Sequence, residues 1–350
     1  MPVEAADRLL EIEIALLKGA GASEKEANIV ARHSIDSNLA GHDSHGIIKI
    51  PTYIQRVKDG HIVPGAPFVI ERETDGTTHI NGNWGFGYVV SERAMEITIA
   101  KAKKCGVAAT TVYQQSHVGR LTDYPLMAIK EGMISIMTAD SGRSNKAVAP
   151  FGGRETRLGT NPLCIAMPSN LDGPFFFDFA TSAGASGKLE VALSRGEQVP
   201  EGWLIDSDGN PTTDPAKQRA GGAILPLGGA EGYKGYALSA MIELMSGVLP
   251  GLGFGIDPSG RHNDGVFMAC FNVAAFRDLE TFKNEVTEFA HYLNTTPPQP
   301  GYDRVYYPGE PEHLKTEKKL KNGIFVEDAT WEKLTELAIE FGCAKELGLD

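Results

Sequence analysis

Cysteine is scarce in this chain: four in 350 residues, Cys105, Cys164, Cys270 and Cys343, widely spaced and with no C-x-x-C. That argues against a disulfide framework or a thiolate metal cluster, and the four read as buried reduced thiols. No run reaches the ~18 consecutive apolar residues of a membrane-spanning helix. The N-terminal stretch MPVEAADRLLEIEIALLKG has neither a basic start nor a continuous apolar segment, so it does not read as a signal peptide. Basic blocks are missing too. The one short run, KTEKKLK from Lys315 to Lys321, follows acidic residues and reads as a solvated face. With a net charge of −12, nucleic acid is not an expected partner. The expectation is a cytoplasmic protein without a membrane partner.

Familiar ligand signatures are also missing. GLGFG at Gly251–Gly255 lacks the spacing of a dinucleotide fingerprint and follows a helix rather than a strand, so a Rossmann fold is not expected. GASGKL lacks the first glycine of a phosphate loop. DSDGNP, with Asp206, Asp208 and Asn210, opens like a calcium loop but has Pro where the sharp-turn Gly belongs, and so reads as a turn. There is no H-E-x-x-H and no G-x-S-x-G, and no metal is expected.

What is present is 42% hydrophobic residues, 40 glycines and alternating helical and strand-like segments, the pattern of a large α/β protein. Helices are expected over about 5–19 and, opened by a Ser23/Glu26 capping box, to about Ala40. A third helical segment lies near Ile48–Val57. TTHINGNWGFG suggests a strand and a turn through Asn81-Gly82, followed by a helix over Tyr88–Lys104. A buried strand ends at Gln114–His117, a helix follows over Asp123–Glu131, and Met133–Ala139 is a strand. PLCIAMP and PFFFDFA are short strands, GYKGYALSAMIELMSGVL is one long helix, and NVAAF follows a Gly-rich loop. Two amphipathic helices lie near 281–294 and 329–342.

Chemistry-bearing residues gather at strand ends and helix starts, where α/β proteins place ligands. His45 sits in GHDSHG at a helix exit. His117 and Arg120 sit in SHVGR, Asp178 closes FFFDFATS, and Lys234 stands between glycines at a helix start. A cation at a helix N-terminus opposes the helix dipole, and a bound anion would resolve that conflict. The combination suits carbonyl–alcohol interconversion with a nicotinamide. Such a protein needs a proton donor, which histidine suits, and a carboxylate anchor, which arginine suits.

The stretches NLAGHDSHGI…PTY, SHVGRLTDY, APFGGRETRLGTNPLCIAMP, FFDFATSAGASGK, IDSDGNPTTDP, EGYKGYALSAMIELMSGVL and YYPGEPE run in order from about residue 38 to 312. Together they resemble the non-Rossmann malate/L-lactate dehydrogenase family. That family includes ureidoglycolate dehydrogenase, sulfolactate dehydrogenase, diketogulonate reductase and the hydroxycarboxylate dehydrogenases that share LAGHDSHGI. The resemblance implies a large, mostly antiparallel mixed sheet flanked by helices, binding NAD or NADP, with helical N- and C-terminal regions. It divides the chain into a sheet domain over 76–274 and a substrate and dimerisation region over 1–75 and 275–350. It implies a homodimer, or a higher even oligomer, that oxidises a small 2-hydroxy acid or reduces the 2-oxo acid. A reductase of a cyclic imine or 2-imino acid is the alternative.

For the site, the resemblance implies that His45 or His117 transfers the proton with Asp178 nearby, and that Ser44, Lys49 and Arg120 meet the substrate; Arg143, in a loop longer than the family's, is expected to join them. His45, Gly119, Arg120, Leu121, Phe176, Phe177, Asp178, Phe179, Ala180, Tyr233, Lys234, Asn263, Gly309, Glu310, Pro311 and Glu312 would contact the cofactor. Lys49 stands where many members carry Arg. The loop DSGRSNKAVAP brings Arg143 and Lys146 near the expected site, which would favour a dianionic substrate over lactate.

Overall fold

A computed structural model describes residues 2–140, 146–257, 259 and 261–349. The chain opens with β1 (Val3–Glu4), α1 (Ala6–Gly19), α2 (Glu24–Leu39) and α3 (Ile50–Lys58). The sheet region follows as β2 (Val69–Glu73), β3 (Thr77–Gly85), α4 (Gly87–Cys105), β4 (Val107–Gln115), α5 (Asp123–Ile129), β5 (Met133–Ala139), β6 (Pro162–Met167) and β7 (Phe175–Ala180). Then come α6 (Ser186–Arg195), β8 (Leu204–Ile205), β9 (Pro211–Thr212), α7 (Ala216–Arg219), β10 (Ala223–Ile224) and α8 (Tyr233–Glu243). The chain closes with β11 (Val266–Asn272), α9 (Leu279–Asn294), α10 (Glu310–Asn322), β12 (Ile324–Phe325) and α11 (Asp328–Glu340).

Seven strands form the main sheet in the order β2-β3-β4-β11-β5-β6-β7. Every neighbouring pair is antiparallel except β3 and β4, which α4 joins as a crossover helix. This is the mixed, mostly antiparallel sheet expected. One core fills the space between the sheet and the helices α4 and α5, with Ile80, Met95, Val112, Tyr124, Met137 and Met268 fully buried. A second core gathers Leu9, Leu16, Val30, Ile50, Ile54 and Leu334 from α1, α2, α3 and α11. Pairing of β1 with β12 ties the two chain ends together. The capping box forms as expected: Ser23 Oγ accepts from Glu26 N, and Ser23 N donates to the Glu26 carboxylate at 2.9 Å. No helix among the described residues is long and apolar enough to cross a membrane.

Several expectations are corrected. No turn forms at Asn81-Gly82. β3 continues through them and bulges afterwards, with Asn83 and Trp84 at φ of 45° and 66°. Asn81 Oδ1 holds Asn83 N at 2.9 Å, which stabilises the bulge locally. The stretch before NVAAF is no mere loop: Val266–Asn272 is the central strand, bonded to both β4 and β5. A strand buried on both faces shows no alternation, so its run VFMACFN carried no period-2 signal. The long helix from Tyr233 ends at Glu243 and continues as a π turn, Leu244–Val248. KTEKKLK is the end of α10 and is not simply solvated, because Lys319 donates to Asn38 O at 2.7 Å. Asp206 accepts from Asp208 N and Asn210 N, both at 2.9 Å, so DSDGNP is a turn as read. All four thiols are free, but Cys105 is exposed rather than buried.

Met268 sits at the middle of the central strand with no exposure. Met268→Ala is expected to cost about 2–5 kcal/mol of unfolding free energy, the range for emptying a packed core site. Urea denaturation measures it, and a loss below about 1 kcal/mol would mean that the core at β11 collapses around the gap.

Candidate active site

The GHDSHG segment leaves α2 and is pinned before any chemistry is considered. Asn38, at the end of α2, accepts from Ile47 N at 2.8 Å and donates to Asp43 Oδ1 at 2.8 Å. Lys319 of α10 closes the same loop at Asp43, 3.0 Å away. Gly46 is required here, since a Cβ would lie 2.0 Å from Asn38 Oδ1. The loop so held presents His45, with Ser44 Oγ 3.1 Å from its Nδ1. The start of α6 abuts it: a Cβ on Gly187 would reach Ser44 at 3.0 Å.

β4 ends two residues before His117, and the rings of His45 and His117 stack with centroids 5.7 Å apart and planes 16° from parallel. The two histidines expected from the sequence therefore meet. Behind them runs a chain of hydroxyls. Tyr88 O–H donates to the His45 carbonyl at 3.3 Å, Tyr53 lies 3.2 Å from Tyr88, and Tyr53 Oη lies 2.6 Å from His117 Nδ1. One direction of donation satisfies every member. Tyr88 uses its proton on His45 O and accepts from Tyr53, and Tyr53 in turn accepts from His117 Nδ1–H. His117 then presents a bare Nε2, a proton acceptor. Gly119, at φ 71°, allows this packing, because a Cβ there would strike the Tyr88 ring at 2.2 Å.

The surrounding charge is cationic. Burial, followed by His42, Lys49 and Arg120, lowers the His45 pKa to about 4. Burial, followed by His262, His45, Lys49 and Arg56, puts His117 well below the usual histidine range. Burial and Arg56 also pull the Lys49 ammonium down. His262 lies edge-on to His117 at 5.7 Å, and its Nε2 is 2.6 Å from Asp264, whose other oxygen accepts from Val118 N at 3.0 Å. Asn263, between them, is buried.

Asp178 belongs to a different part of the site. Its carboxylate accepts from Thr122 N at 2.9 Å and Thr122 Oγ at 2.7 Å, and burial raises its pKa. It lines a cleft of about 290 Å³ with Phe176, Phe177, Phe179, Gly309, Pro311 and Glu312. Ala180 closes the same strand, β7, and Glu310 starts α10, held by Arg304. Gly309 permits the close approach, since a Cβ there would lie 2.4 Å from Pro174 O. A second cleft of about 280 Å³ shares Phe176 and Glu312 and adds Arg32, Asp36, Arg120, Asp123 and Lys130. Leu121, next to Arg120, is buried in the core on the sheet side. Arg120 is paired with Asp123, and its buried Nε has no hydrogen-bond partner among the described residues. Arg120 lines the second cleft and Gly309 the first, and the two clefts share Phe176 and Glu312, so together they offer a cationic donor and a close backbone approach to an extended anionic ligand.

Other expectations fall elsewhere. Tyr233 is exposed, and Lys234 beside it pairs with Glu231 outside both clefts, so the helix-start conflict is relieved within the chain. Lys146 does not face a ligand: it is buried against Glu243 at 3.0 Å, and Asn161 holds the other Glu243 oxygen at 2.9 Å. Arg143 lies outside the described residues. The sequence reading missed Tyr53, Arg56, His42 and His262. Tyr53 stands four residues after Lys49 on the next helical turn, the one spacing signal that pointed to it.

The sequence profile of the malate/L-lactate dehydrogenase family matches residues 5–335. A malate/(S)-sulfolactate dehydrogenase of Methanothermus fervidus is 39% identical over 93% of this chain and 94% of its own length. The crystal structure of a malate dehydrogenase from Entamoeba histolytica superposes with a TM-score of 0.93 and 34% identity, covering 97% of this chain and 98% of that one. A δ1-piperideine-2-carboxylate reductase from Pseudomonas syringae pvar. tomato superposes at 0.83 with 27% identity, covering 97% of this chain and all of its own. The chain belongs to the malate/L-lactate dehydrogenase family.

The depressed pKa of His45 has a consequence in acid. Its folded value, about 4, lies below the unfolded value of 6.5, so in this interval the unfolded chain binds a proton that the native chain excludes. Stability should fall as pH drops through that window, and His45→Gln should flatten the slope. Urea midpoints measured across the interval test this, and an unchanged slope would assign the effect to other groups.

Proposed function

We propose that the chain interconverts a small 2-hydroxy acid and its 2-oxo acid with NAD or NADP, as a cytoplasmic homodimer or higher even oligomer. Family membership makes it a hydroxy acid dehydrogenase, and the substrate, cofactor and residue roles are the proposal. One observation carries the roles: a neutral His117, with Nε2 bare, stands where Lys49 and Arg56 raise the positive potential. That pairing suits an anionic alcohol. Lys49 and Arg56 attract the carboxylate, Ser44 and His45 flank it, and His117 Nε2 takes the hydroxyl proton. In the reverse direction the same nitrogen returns the proton to the new alkoxide. A lowered pKa keeps His117 neutral, and so available to accept a proton in oxidation, and makes it, once protonated, a strong acid for reduction. The Tyr53–Tyr88 chain fixes the imidazole orientation.

A bound nicotinamide dinucleotide supplies or accepts the hydride at the reacting carbon. Arg120 and the backbone of Gly119–Leu121, Phe176–Ala180 and Gly309–Glu312 are the groups proposed to hold it. Asp178, tied to Thr122, is assigned to that cleft rather than to proton transfer. Asn263 is assigned to the junction of the two parts. Tyr233 and Lys234, which line neither cleft, are proposed to meet the cofactor from the start of α8. The regions 1–75 and 275–350 are assigned to substrate binding and dimerisation, and 76–274 to the cofactor. The superposition with a piperideine-carboxylate reductase favours one alternative, reduction of a cyclic imine acid. The test is a spectrophotometric panel of oxaloacetate, pyruvate, sulfopyruvate and a cyclic imine acid with NADH and NADPH. Turnover of 2-oxo acids supports the proposal, and turnover of the imine alone replaces it with the alternative.

Two variants follow. His117→Ala should lower kcat by about 10²–10⁴-fold while the dinucleotide still binds. A near wild-type kcat would pass the proton role to His45. Lys49→Ala should raise KM by about 10–100-fold with a smaller change in kcat, as for loss of one charge-assisted contact to a substrate anion. An unchanged KM would remove Lys49 from the substrate site.

A further inference from the structure

His33 takes no part in the chemistry just described, yet it is among the most constrained polar residues in the molecule. It lies on α2 with its side chain 1% exposed. Both ring nitrogens face carboxylates: Nε2 is 2.8 Å from Glu92 of α4, and Nδ1 is 3.2 Å from Asp123 of α5. The ring is sandwiched between Tyr88 and Tyr124, with centroids 5.3 and 5.1 Å away. Asp123 is the carboxylate that grips Arg120, and Glu92 is also gripped by Arg32. Arg32, Arg120, Asp36 and Asp123 line the second cleft together.

The charge count is simple. Glu92 and Asp123, the carboxylates on the ring, bring two negative charges, and Arg32, Arg120 and a protonated His33 bring three positive ones, while Asp178 adds negative charge beside Arg120 when ionised. With the imidazolium present, Asp123 is shared between two cations and Arg120 keeps positive charge toward the cleft. With a neutral imidazole, one carboxylate loses its hydrogen bond, because a neutral ring has one N–H. The charge of Arg120 is then consumed by Asp123. Asp36, on the same helix as His33, adds negative charge when ionised.

We propose that His33 is a positioning residue: held as an imidazolium between Glu92 and Asp123, it fixes Arg120 and leaves its charge available to the anionic part of the dinucleotide. This rests on the cofactor reading of the clefts. Burial opposes the charge on His33, but the hydrogen bonds to Asp123 and Glu92 outweigh it and raise its pKa above 6.5. The carboxylates agree: Asp123 is lowered to about 2 against its burial, chiefly by Arg120 and His33, and Glu92 is lowered as well. The positioning is complete below the ordinary histidine range and is lost as pH rises through the elevated folded value.

The test measures NADH and NADPH dissociation constants by fluorescence from about pH 6 to 9.5, for wild type and His33→Gln, alongside kcat at saturating dinucleotide. Wild type should lose about tenfold or more in affinity through one protonation step above pH 6.5. His33→Gln should show the weaker affinity throughout, without the step, and with kcat within about threefold of wild type. A structural role alone would lower the amount of folded protein without removing a pH step. Independently of any variant, ¹⁵N NMR of the wild-type imidazole should show both ring nitrogens protonated at pH 6.5 and one proton leaving at the same pH as the affinity step. Wild-type affinity flat across the range, a variant that keeps the step, or a His33 already neutral at pH 6.5 overturns the proposal alone. A wild type that binds neither dinucleotide overturns the cofactor reading, and the role of His33 with it.

Discussion

The hydroxyl chain from His117 through Tyr53 and Tyr88 to the His45 carbonyl is the constraint on which the site depends. It links four segments: the loop after α2, the helix α3, the start of α4 and the exit of β4. Because each hydroxyl has one proton to give, the chain also selects a tautomer. A buried imidazole left free to turn would present either nitrogen, whereas this one presents Nε2. The glycines at 87 and 119 are the steric conditions for the chain. A Cβ on Gly87 would lie 2.2 Å from Ser116 O, and one on Gly119 would occupy the space of the Tyr88 ring.

Charge is arranged in two zones around that chain. The histidine pair sits beside Lys49, and burial together with nearby positive charge (Lys49 and Arg120 for His45, Lys49 and Arg56 for His117) pushes both imidazoles toward the neutral form. The neighbouring clefts carry their own balance, with Arg120 locked to Asp123 and Asp178 locked to Thr122. In the proposed chemistry the first zone handles a small acid and its proton, and the second holds an extended anion. A site that keeps its base neutral by surrounding it with cations gains from an arriving carboxylate twice. The anion is attracted, and its charge raises the proton affinity of the base at the moment a proton must be accepted.

Much of this was legible in the sequence, and the parts that were not have physical reasons. Helices with clear punctuation, such as α2 with its capping box and α4 with Gly106 at its end, were readable almost to the residue. His45 and His117 stood out because polar residues sat at a helix exit and a strand exit. The central strand β11 did not, because a run buried on both faces has no alternation to detect. The bulge at Asn83 and Trp84 was hidden for a similar reason: Asn-Gly is a strong turn signal, and tertiary contact overrode it. Tyr53 and His262 are ordinary in sequence and acquire meaning only through what they touch. Both Lys146 and Lys234 meet carboxylates in the fold: Glu243, distant in sequence, for one, and Glu231, three residues earlier, for the other.

The account rests on direct hydride transfer to a carbon whose oxygen is served by His117. The most direct check is to run the reduction of a 2-oxo acid with nicotinamide dinucleotide deuterated on both hydrogens of the reactive ring carbon, and to locate the label in the product by mass spectrometry and NMR. One deuterium on carbon 2 of the hydroxy acid, in every product molecule, is the predicted result. Product formed without deuterium at that carbon would contradict the mechanism, as would label that washes out into solvent.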